Sequence, residues 1–588
     1  MKLKLLHELL IYATIFTMID AQSAIRCPAA CQCSTEYYVY CQSIQLTDSQ
    51  LAGIISAIAP TAILLDLSSN QITRIPRGSF IRLQKLKYLN LAANGIVELE
   101  ENTFSDLPEL EELNLRGNDI GKLHQNSLNG LFSLKDLHLG DNMIASTPLQ
   151  IFSNLTLLEK LHLQKNIITD LTPRAFFGLD KLQKLNLSQN LLKTIPGLTF
   201  LGLSSLRRLS LTDNLISEFA ADAFKGLSSL EELLMQKNDI SDLIFMFGND
   251  FYNSLMSVSL AGNLITHVPS HVFPHNSNLK QIDLSDNLIR RVGGQSFNNL
   301  YLETLQLQKN NLTEVTKEMF DAAKRISELT LSYNRIQDIA TGAFDSFRET
   351  LLVLDLHLNQ LTGVHPGMFR GMRRLRVLNM AANTISSLDR GSFQDLENLE
   401  ELNISGNKFT VLESGTISGP QGLRKLLLVC NPLQRLVGFS FDHVTDRIYI
   451  ETNSSIVLVS ASTALVTWPY REGTQLYWTL SVTCGSSLHC DVPTYESTLR
   501  PFVTQVTLTG LTPGAEYFVC VSPVFLSGDV NVSQCVHVLT DVDSPSSIKH
   551  TTVPSENSLN SSQPCSLPRD QQLLLLLFMC FLHTLISS

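Results

Sequence analysis

The stretch from Leu182 to Leu192 reads LQKLNLSQNLL, and it is one copy of a pattern that runs through most of the chain. The pattern is Leu-x-x-Leu-x-Leu-x-x-Asn-x-Leu/Ile. Its asparagine returns after 24 residues twelve times, after 25 twice and after 23 once, at positions 70, 94, 118, 142, 166, 190, 214, 238, 263, 287, 310, 334, 359, 383, 407 and 431. So regular a period predicts stacked repeats, and the 588 residues therefore need not form several unrelated domains.

A phenylalanine follows most of these asparagines ten residues later, and this position takes twelve of the 28 phenylalanines of the chain: Phe80, Phe104, Phe152, Phe176, Phe200, Phe224, Phe273, Phe297, Phe320, Phe344, Phe369 and Phe393. In LxLxxN the two leucines of a short strand should point inward and the residue between them outward. We expect the asparagine amide to satisfy backbone groups of neighbouring turns. The phenylalanine should close the core from the opposite side, and both ends need caps because no repeat buries its own edge.

This pattern is the leucine-rich repeat signature. It implies an α/β-type solenoid with short parallel strands on a concave face, and we assign about 16 repeats to residues 51–433. Residues 25–50 resemble the cysteine-rich N-terminal flank of animal extracellular leucine-rich repeat proteins, which implies the disulfides Cys27–Cys33 and Cys31–Cys41. A zinc site is the rival interpretation, but a secreted chain oxidises such thiols.

Strand-like alternation replaces the repeat over residues 455–541, after a C-terminal cap and linker at 434–454. The element Leu511-x-Pro513-x-x-x-Tyr517 resembles that of a fibronectin type III domain, an all-β sandwich, with Tyr517 as its tyrosine corner and Trp468 as its buried tryptophan. We prefer the disulfides Cys484–Cys490 and Cys520–Cys535, with crossed pairing as the alternative. Once processing of the C-terminal tail removes Cys565 and Cys580, Cys430 would remain as an unpaired thiol inside the last turn, or would link two chains in a dimer.

The two ends of the chain indicate secretion and membrane attachment. Residues 1–24 read as a signal peptide, and residues 542–572 as a disordered stalk rich in Ser, Thr and Pro. The hydrophobic tail at 573–588 is short for a bilayer crossing, and it resembles a glycosylphosphatidylinositol anchor signal with Asn560 as attachment site. A short transmembrane segment is the alternative. N-glycosylation is expected at Asn154, Asn186, Asn311, Asn403, Asn453 and Asn531.

This order of parts resembles that of cell-surface proteins with leucine-rich repeats and a fibronectin domain, the group of vasorin and the fibronectin leucine-rich transmembrane proteins. The resemblance implies a cell-surface glycoprotein that binds extracellular protein ligands or receptors in adhesion, guidance or growth-factor modulation. A secreted or shed structural glycoprotein of the extracellular matrix is the alternative.

Composition and motifs argue against other classes of function. The net charge of -11, without a long basic run, gives no electrostatic reason to bind nucleic acid. The sequence has no GxSxG, HExxH, Walker or dinucleotide-binding motif, so we expect neither an enzyme nor a cofactor.

The outward strand positions, two, four and six residues before each asparagine, are where a partner would dock. A local basic group stands out there in an acidic protein, and we predict that it contacts a protein ligand: Arg116, His138, Lys160, His162, Lys184 and Arg208. Two imidazoles without a third ligand do not predict a metal site. Glycans on Asn186 and Asn403 would rise from the same face, so the partner must dock beside them.

Overall fold

The structure is a computed structural model that describes residues 27–539 with gaps at 149, 244–252, 274–277, 413–415, 433–434, 437–448, 452–455, 461–462, 468–474, 485–494, 500–504, 510–515 and 526–533. Strands 411–412 and 435–436, and all strands from 449 onward, are described by their backbone. The signal peptide, the stalk, the hydrophobic tail, Trp468 and the acceptor asparagines 453, 531 and 560 lie outside the described residues.

The chain divides into two compact units. Unit 1 comprises the residues up to Thr266 together with Val272–Asp283, and unit 2 comprises His267–His271 and the residues from Leu284 onward. Each unit contains parallel strands that repeat with the period of the sequence, which is the architecture of a leucine-rich repeat solenoid, and the two units contain about 15 turns in all.

The N-terminal cap of unit 1 is held by the disulfides Cys27–Cys33 and Cys31–Cys41, the pairing that the resemblance implied. An antiparallel hairpin, Gln32–Thr35 with Tyr38–Tyr40, precedes the helix Asp48–Ala57. The strand Tyr38–Tyr40 pairs in parallel with Leu64–Asp66. The cap therefore covers the edge of the first repeat strand, which would otherwise present unpaired backbone groups.

The repeat strands of unit 1 form one parallel ladder, in which each residue pairs with the residue 24 or 25 positions later. Its strands are Leu64–Asp66, Tyr88–Asn90, Glu112–Asn114, Asp136–His138, Lys160–His162, Lys184–Asn186, Arg208–Ser210, Glu232–Leu234, Ser257–Ser259 and Gln281–Asp283. Two-residue strands pair elsewhere in the repeats: Glu98–Leu99 with Lys122–Leu123, and Thr194–Ile195 with Glu218–Phe219.

Each repeat strand is followed by a turn. In the sequence pattern, the recurring position of this turn is the repeat asparagine. The residue before every repeat asparagine has a left-handed backbone, with φ between 52° and 69°. Three of these residues are glycines, but Leu358 and Tyr333 adopt the same conformation at 53° and 54°. Because such residues rarely visit this region by themselves, the hydrogen bonds of the following asparagine must stabilise the turn.

The phenylalanines stack along the side of the repeats opposite the strands. In unit 1 the ring centroids of Phe152, Phe176 and Phe200 lie 6.2 and 6.1 Å apart with nearly parallel planes. All three side chains are fully buried. The segments around them are tight turns closed by i to i+3 backbone bonds, such as Leu155 N–H to Phe152 O at 2.9 Å. Among the described residues the only α-helix is the one in the cap.

Unit 2 has the same architecture. Its main parallel strands are Tyr301–Gln306, Arg325–Thr330, Val353–Asp355, Val377–Asn379, Glu401–Asn403, Lys425–Leu427 and Tyr449–Glu451. A 3-10 helix spans Lys317–Phe320. The two-residue strands are His267–Val268, Arg291–Val292, Glu314–Val315, Asp338–Ile339, Gly363–Val364, Ser387–Leu388, Val411–Leu412 and Arg435–Leu436, which pair in consecutive couples.

Seven further strands of unit 2 form two antiparallel sheets. One contains Ile456–Ser460, Thr463–Thr467 and Gln505–Thr509, and the other contains Tyr495–Leu499, Gln475–Cys484, Glu516–Phe525 and Gln534–Leu539 in that spatial order. The register sets Cys520 directly opposite Cys535.

The prediction of an unpaired Cys430 is wrong, because this residue is disulfide-bonded in the structure. The prediction came from pairing the four cysteines of the cap with one another and the four between Cys484 and Cys535 with one another. A cysteine at the end of the repeats can instead bond to a distant part of the chain, and sequence spacing carries no information about such a contact.

Candidate functional site

The outward residues of unit 1 form two straight rows, because parallel strands in register place equivalent residues side by side, about 4.8 Å apart. The first row, six residues before each asparagine, is Glu112, Asp136, Lys160, Lys184, Arg208 and Glu232. The second row, four residues before it, is Asn114, His138, His162, Asn186 and Ser210. We call these two rows, together with Arg116 beside them, the strand face.

Ion pairs neutralise much of the basic group predicted on this face. Lys160 Nζ lies 2.9 Å from Asp136 Oδ2, and Arg208 pairs with Glu232 at 2.8 Å. Arg116 Nε donates to Asp141 Oδ2 at 2.6 Å.

Lys184 differs from these three cations. It is exposed, and within the described part of the chain it has no carboxylate within 4.0 Å. Since its row neighbours Lys160 and Arg208 are both paired, Lys184 presents the uncompensated positive charge of this row.

Asp136 is the centre of the strand face. Its Oδ2 binds Lys160, while its Oδ1 lies 3.1 Å from His138 Nε2 and 3.5 Å from His162 Nε2. Burial alone would raise the pKa of Asp136, but the polar contacts from His138, His162 and Lys160 outweigh burial and hold this pKa far below its usual range. The carboxylate is therefore charged at any physiological pH.

The two histidines face this carboxylate as a stacked pair. Their ring centroids lie 4.4 Å apart and their planes are parallel. Both imidazoles are half-buried, with side-chain exposures of 26% for His138 and 24% for His162. Although both Nε2 atoms are close to Asp136 Oδ1, that oxygen is buried and accepts no hydrogen bond of good geometry. We therefore regard these contacts as electrostatic.

The structure thus brings His138, Lys160 and His162 together around one carboxylate, that of Asp136. Lys184 and Arg208 lie farther along the first row, and Arg116 turns toward Asp141. Sequence reasoning missed Asp136 as the common partner. The signal was present, since Asp136 lies two residues before His138 on the same side of a strand and one strand from His162.

Two acceptor asparagines for glycans lie on outward positions of strands, as predicted, but they are not equally open. Asn186 is half-buried, and its Oδ1 accepts hydrogen bonds from the backbone N–H and the hydroxyl of Ser188 at 3.0 and 2.7 Å. Asn403, in unit 2, is only 9% exposed. Asn154 is exposed in a turn. A glycan therefore fits the folded chain best at Asn154 and worst at Asn403.

Among the described residues, no helix is both long enough and apolar enough to cross a bilayer.

Several known proteins share parts of this sequence. The human leucine-rich repeats and immunoglobulin-like domains protein 1 is 39% identical over 110 residues, which are 18% of this chain and 10% of that protein. Mouse podocan is 31% identical over 127 residues, 21% of this chain and 20% of podocan. Mouse tsukushi is 30% identical over 113 residues, 18% of this chain and 32% of tsukushi. The chain thus spans about a third or less of the length of these relatives.

A solved leucine-rich repeat protein of Leptospira interrogans has the same fold. Its TM-score is 0.53 at 24% identity, and the match covers 69% of this chain and all of that one. The leucine-rich repeat family model matches residues 64–120, 132–192, 182–240, 253–312, 301–349, 324–385 and 373–433, which together are more than half of the chain. This chain therefore belongs to the leucine-rich repeat family.

Proposed function

We propose that this protein is an extracellular recognition glycoprotein that binds a protein partner through the strand face of unit 1. The observation that carries the proposal is the pair of rows in strict register, which presents charged and imidazole side chains from a rigid parallel ladder. Because the strands are already ordered, few side chains and no backbone need to be fixed on binding. The two disulfides of the cap are typical of proteins that fold in an oxidising compartment.

The ion pairs indicate which residues contribute to electrostatic steering of a partner. Lys160 and Arg208 are compensated by Asp136 and Glu232, so they contribute to specificity of contact more than to long-range attraction. Lys184 is the uncompensated cation and should govern the association rate with an acidic surface.

A binding screen tests this proposal. The mature chain would be probed against a library of secreted and cell-surface proteins, and association with any partner found would then be measured at low and high salt. Lys184→Glu should slow association by about 10-fold at low salt and reduce its salt dependence. Lys193→Glu is the matched control, because Lys193 is exposed in the same repeat but lies outside the strand rows. Equal rates for wild type and Lys184→Glu would place the binding surface elsewhere.

We further propose that residues 455–541 form a fibronectin type III spacer. The grouping of seven antiparallel strands into sheets of three and four supports this assignment, since fibronectin type III domains are antiparallel two-sheet sandwiches. The local disulfides Cys484–Cys490 and Cys520–Cys535 are proposals, but only one of them can form beside the disulfide of Cys430 once cleavage at Asn560 removes Cys565 and Cys580. The position of Cys520 opposite Cys535 favours the second pair.

Attachment to the outer leaflet through a lipid on Asn560 is the last part of the proposal, and it rests on the sequence of the C-terminal tail alone. Release of the protein from intact cells by a phosphatidylinositol-specific phospholipase is the expected result. Protein found only in the culture medium or matrix, without a lipid, would instead support the alternative of a secreted matrix glycoprotein.

A further inference from the structure

Three metal-ligating side chains converge at the centre of the strand face. One ligand atom each from Asp136, His138 and His162 lies within 4.8 Å of the other two, and no other group of this kind occurs in the described residues. All three are half-buried and belong to adjacent strands of a rigid ladder. The ligands therefore come from positions that the fold itself holds in place.

The distances match those of a tetrahedral zinc site along two of its edges. With metal–ligand bonds of about 2.0–2.1 Å, neighbouring ligand atoms of a tetrahedron are about 3.3 Å apart. Asp136 Oδ1 lies 3.1 Å from His138 Nε2 and 3.5 Å from His162 Nε2. The remaining edge, between the two imidazoles, closes when the parallel rings tilt toward each other, which requires only side-chain rotation.

The carboxylate oxygen that faces the histidines also lacks a hydrogen-bond partner. Asp136 Oδ1 is buried and accepts no hydrogen bond of good geometry, and Gln164 Oε1, two residues beyond His162, is likewise buried without one. A bound cation would give this buried oxygen a direct partner.

The other carboxylate oxygen is already anchored. Lys160 Nζ binds Asp136 Oδ2 at 2.9 Å, which fixes the carboxylate plane and leaves Oδ1 aimed at the imidazoles. Metal-binding carboxylates commonly have such an outer hydrogen bond. Glu112 Oε1 lies 3.9 Å from His138 Nε2 and adds a negative charge that offsets the ammonium of Lys160.

We propose that Asp136, His138 and His162 bind a zinc ion on the strand face, with the fourth coordination position open to the outside. Two imidazoles and one carboxylate suit Zn²⁺, whereas Ca²⁺ and Mg²⁺ prefer sites built entirely from oxygen ligands. The open position is available to water or to a side chain of a docked molecule. This inference does not depend on the identity, or even the existence, of a protein partner.

Zinc binding by the untagged mature chain tests the proposal, measured by competition with a chromogenic zinc chelator after metal removal. Wild type should bind one zinc ion per chain at this site. His162→Asn should weaken that binding by at least about 100-fold, since loss of an outer-shell partner alone costs 10–100-fold. Asparagine is a conservative choice, because Asn186 occupies the next position of the same row.

His357→Asn is the matched control. His357 also sits against a carboxylate, with Nδ1 2.7 Å from Asp355 Oδ1, but it belongs to no group of three ligands among the described residues. Its loss should leave zinc binding unchanged. Substitution of Co²⁺ for Zn²⁺ should give visible absorption bands that vanish in Asp136→Asn, and urea denaturation would verify that each variant is folded. Absence of zinc binding by wild type, or equal binding by folded His162→Asn, would overturn the proposal.

Discussion

Asn118 donates a hydrogen bond from its side-chain Nδ2 to the backbone carbonyl of Leu91, 27 residues earlier, at 3.0 Å. The same Nδ2 donates to the carbonyl of Leu115 at 2.9 Å, and Oδ1 accepts from the backbone N–H of Ile96 at 3.1 Å. One buried amide thus satisfies three backbone groups in two consecutive turns. This confirms the expectation that the amide of the repeat asparagine forms hydrogen bonds with backbone groups of neighbouring turns.

Replacing this asparagine should therefore be costly. Asn118→Ala leaves the buried backbone N–H of Ile96 without a partner. The carbonyls of Leu91 and Leu115 each lose one of two donors, since they keep hydrogen bonds from the next repeat asparagines on either side, Asn94 and Asn142. We expect a loss of about 1–3 kcal/mol in the free energy of unfolding, the cost of one unsatisfied group. Urea denaturation would measure the loss. Asn114→Ala is the control, because Asn114 lies half-buried on the strand face and should cost less than about 1 kcal/mol. Similar losses of stability in both variants would contradict the structural role of the repeat asparagine.

The phenylalanine stack provides an independent test. Phe176 is fully buried between Phe152 and Phe200, so Phe176→Ala should destabilise the protein by about 3–5 kcal/mol through the cavity it leaves. Its neighbour Phe177 is 48% exposed, and Phe177→Ala should have a small effect. Thermal or urea denaturation of the two variants compares them directly. A larger loss at Phe177 would mean that the stack does not form the core.

These two features could be predicted because they repeat. Each asparagine and phenylalanine occupies a fixed place in a period of 24 residues, and a repeated place must have the same environment in every turn. The left-handed residue before each asparagine could not be found in this way. Residues as different as Leu358, Tyr333 and Gly117 fill this position, because the neighbouring hydrogen bonds, not the residue type, select the conformation.

The candidate site was predicted only in part, for a different physical reason. The period fixes which residues share a row, so the neighbours His138 and His162 could be identified from the sequence. It does not fix side-chain rotamers, and these decide that Asp136 faces both imidazoles and that Arg116 turns to Asp141. The sequence therefore predicts a basic patch, although the structure pairs Arg116, Lys160 and Arg208 with carboxylates.

Glu111 gives the stability of unit 1 a dependence on pH. Hydrogen bonds from Lys135 and Lys87, at 2.6 and 2.9 Å, hold the pKa of Glu111 below its ordinary value of 4.5. Since the folded chain favours the charged form, the stabilisation is complete above pH 4.5 and is lost as pH falls through the lower pKa of the folded state.

Glu111→Gln should thus lower the free energy of unfolding by less than about 1 kcal/mol at pH 7, because such ion pairs are partly exposed. In strong acid it should have no effect, because Glu111 is then protonated in both the folded and the unfolded chain. The exposed Glu101, with no charged partner among the described residues, supplies the control variant Glu101→Gln. Urea denaturation across the pH range would measure both. A loss at Glu111 that does not change with pH would show that charge is not its cause.

Cys430 should be protected from alkylation in the denatured, unreduced protein, because it is disulfide-bonded. Mass spectrometry of peptides from protein alkylated before reduction should find Cys430 unmodified, and the same experiment after reduction should find it alkylated. Alkylation of Cys430 before reduction would restore the interpretation as a free thiol.

The central claim, recognition of a protein through the strand face of unit 1, is tested most directly by blocking that face with a glycan. Arg208→Asn creates an acceptor site with Ser210 on the first row, and Glu101→Asn creates one with Thr103 in an exposed turn outside the strand rows. Arg208→Gln controls for loss of the ion pair with Glu232.

The measurement is the dissociation constant for a partner from the library screen, with glycan occupancy verified by mass spectrometry. We predict that glycosylated Arg208→Asn binds at least about 100-fold more weakly, equivalent to 2.7 kcal/mol or more, while glycosylated Glu101→Asn and Arg208→Gln bind within a few-fold of wild type. Wild-type affinity in the fully glycosylated Arg208→Asn protein would contradict the claim.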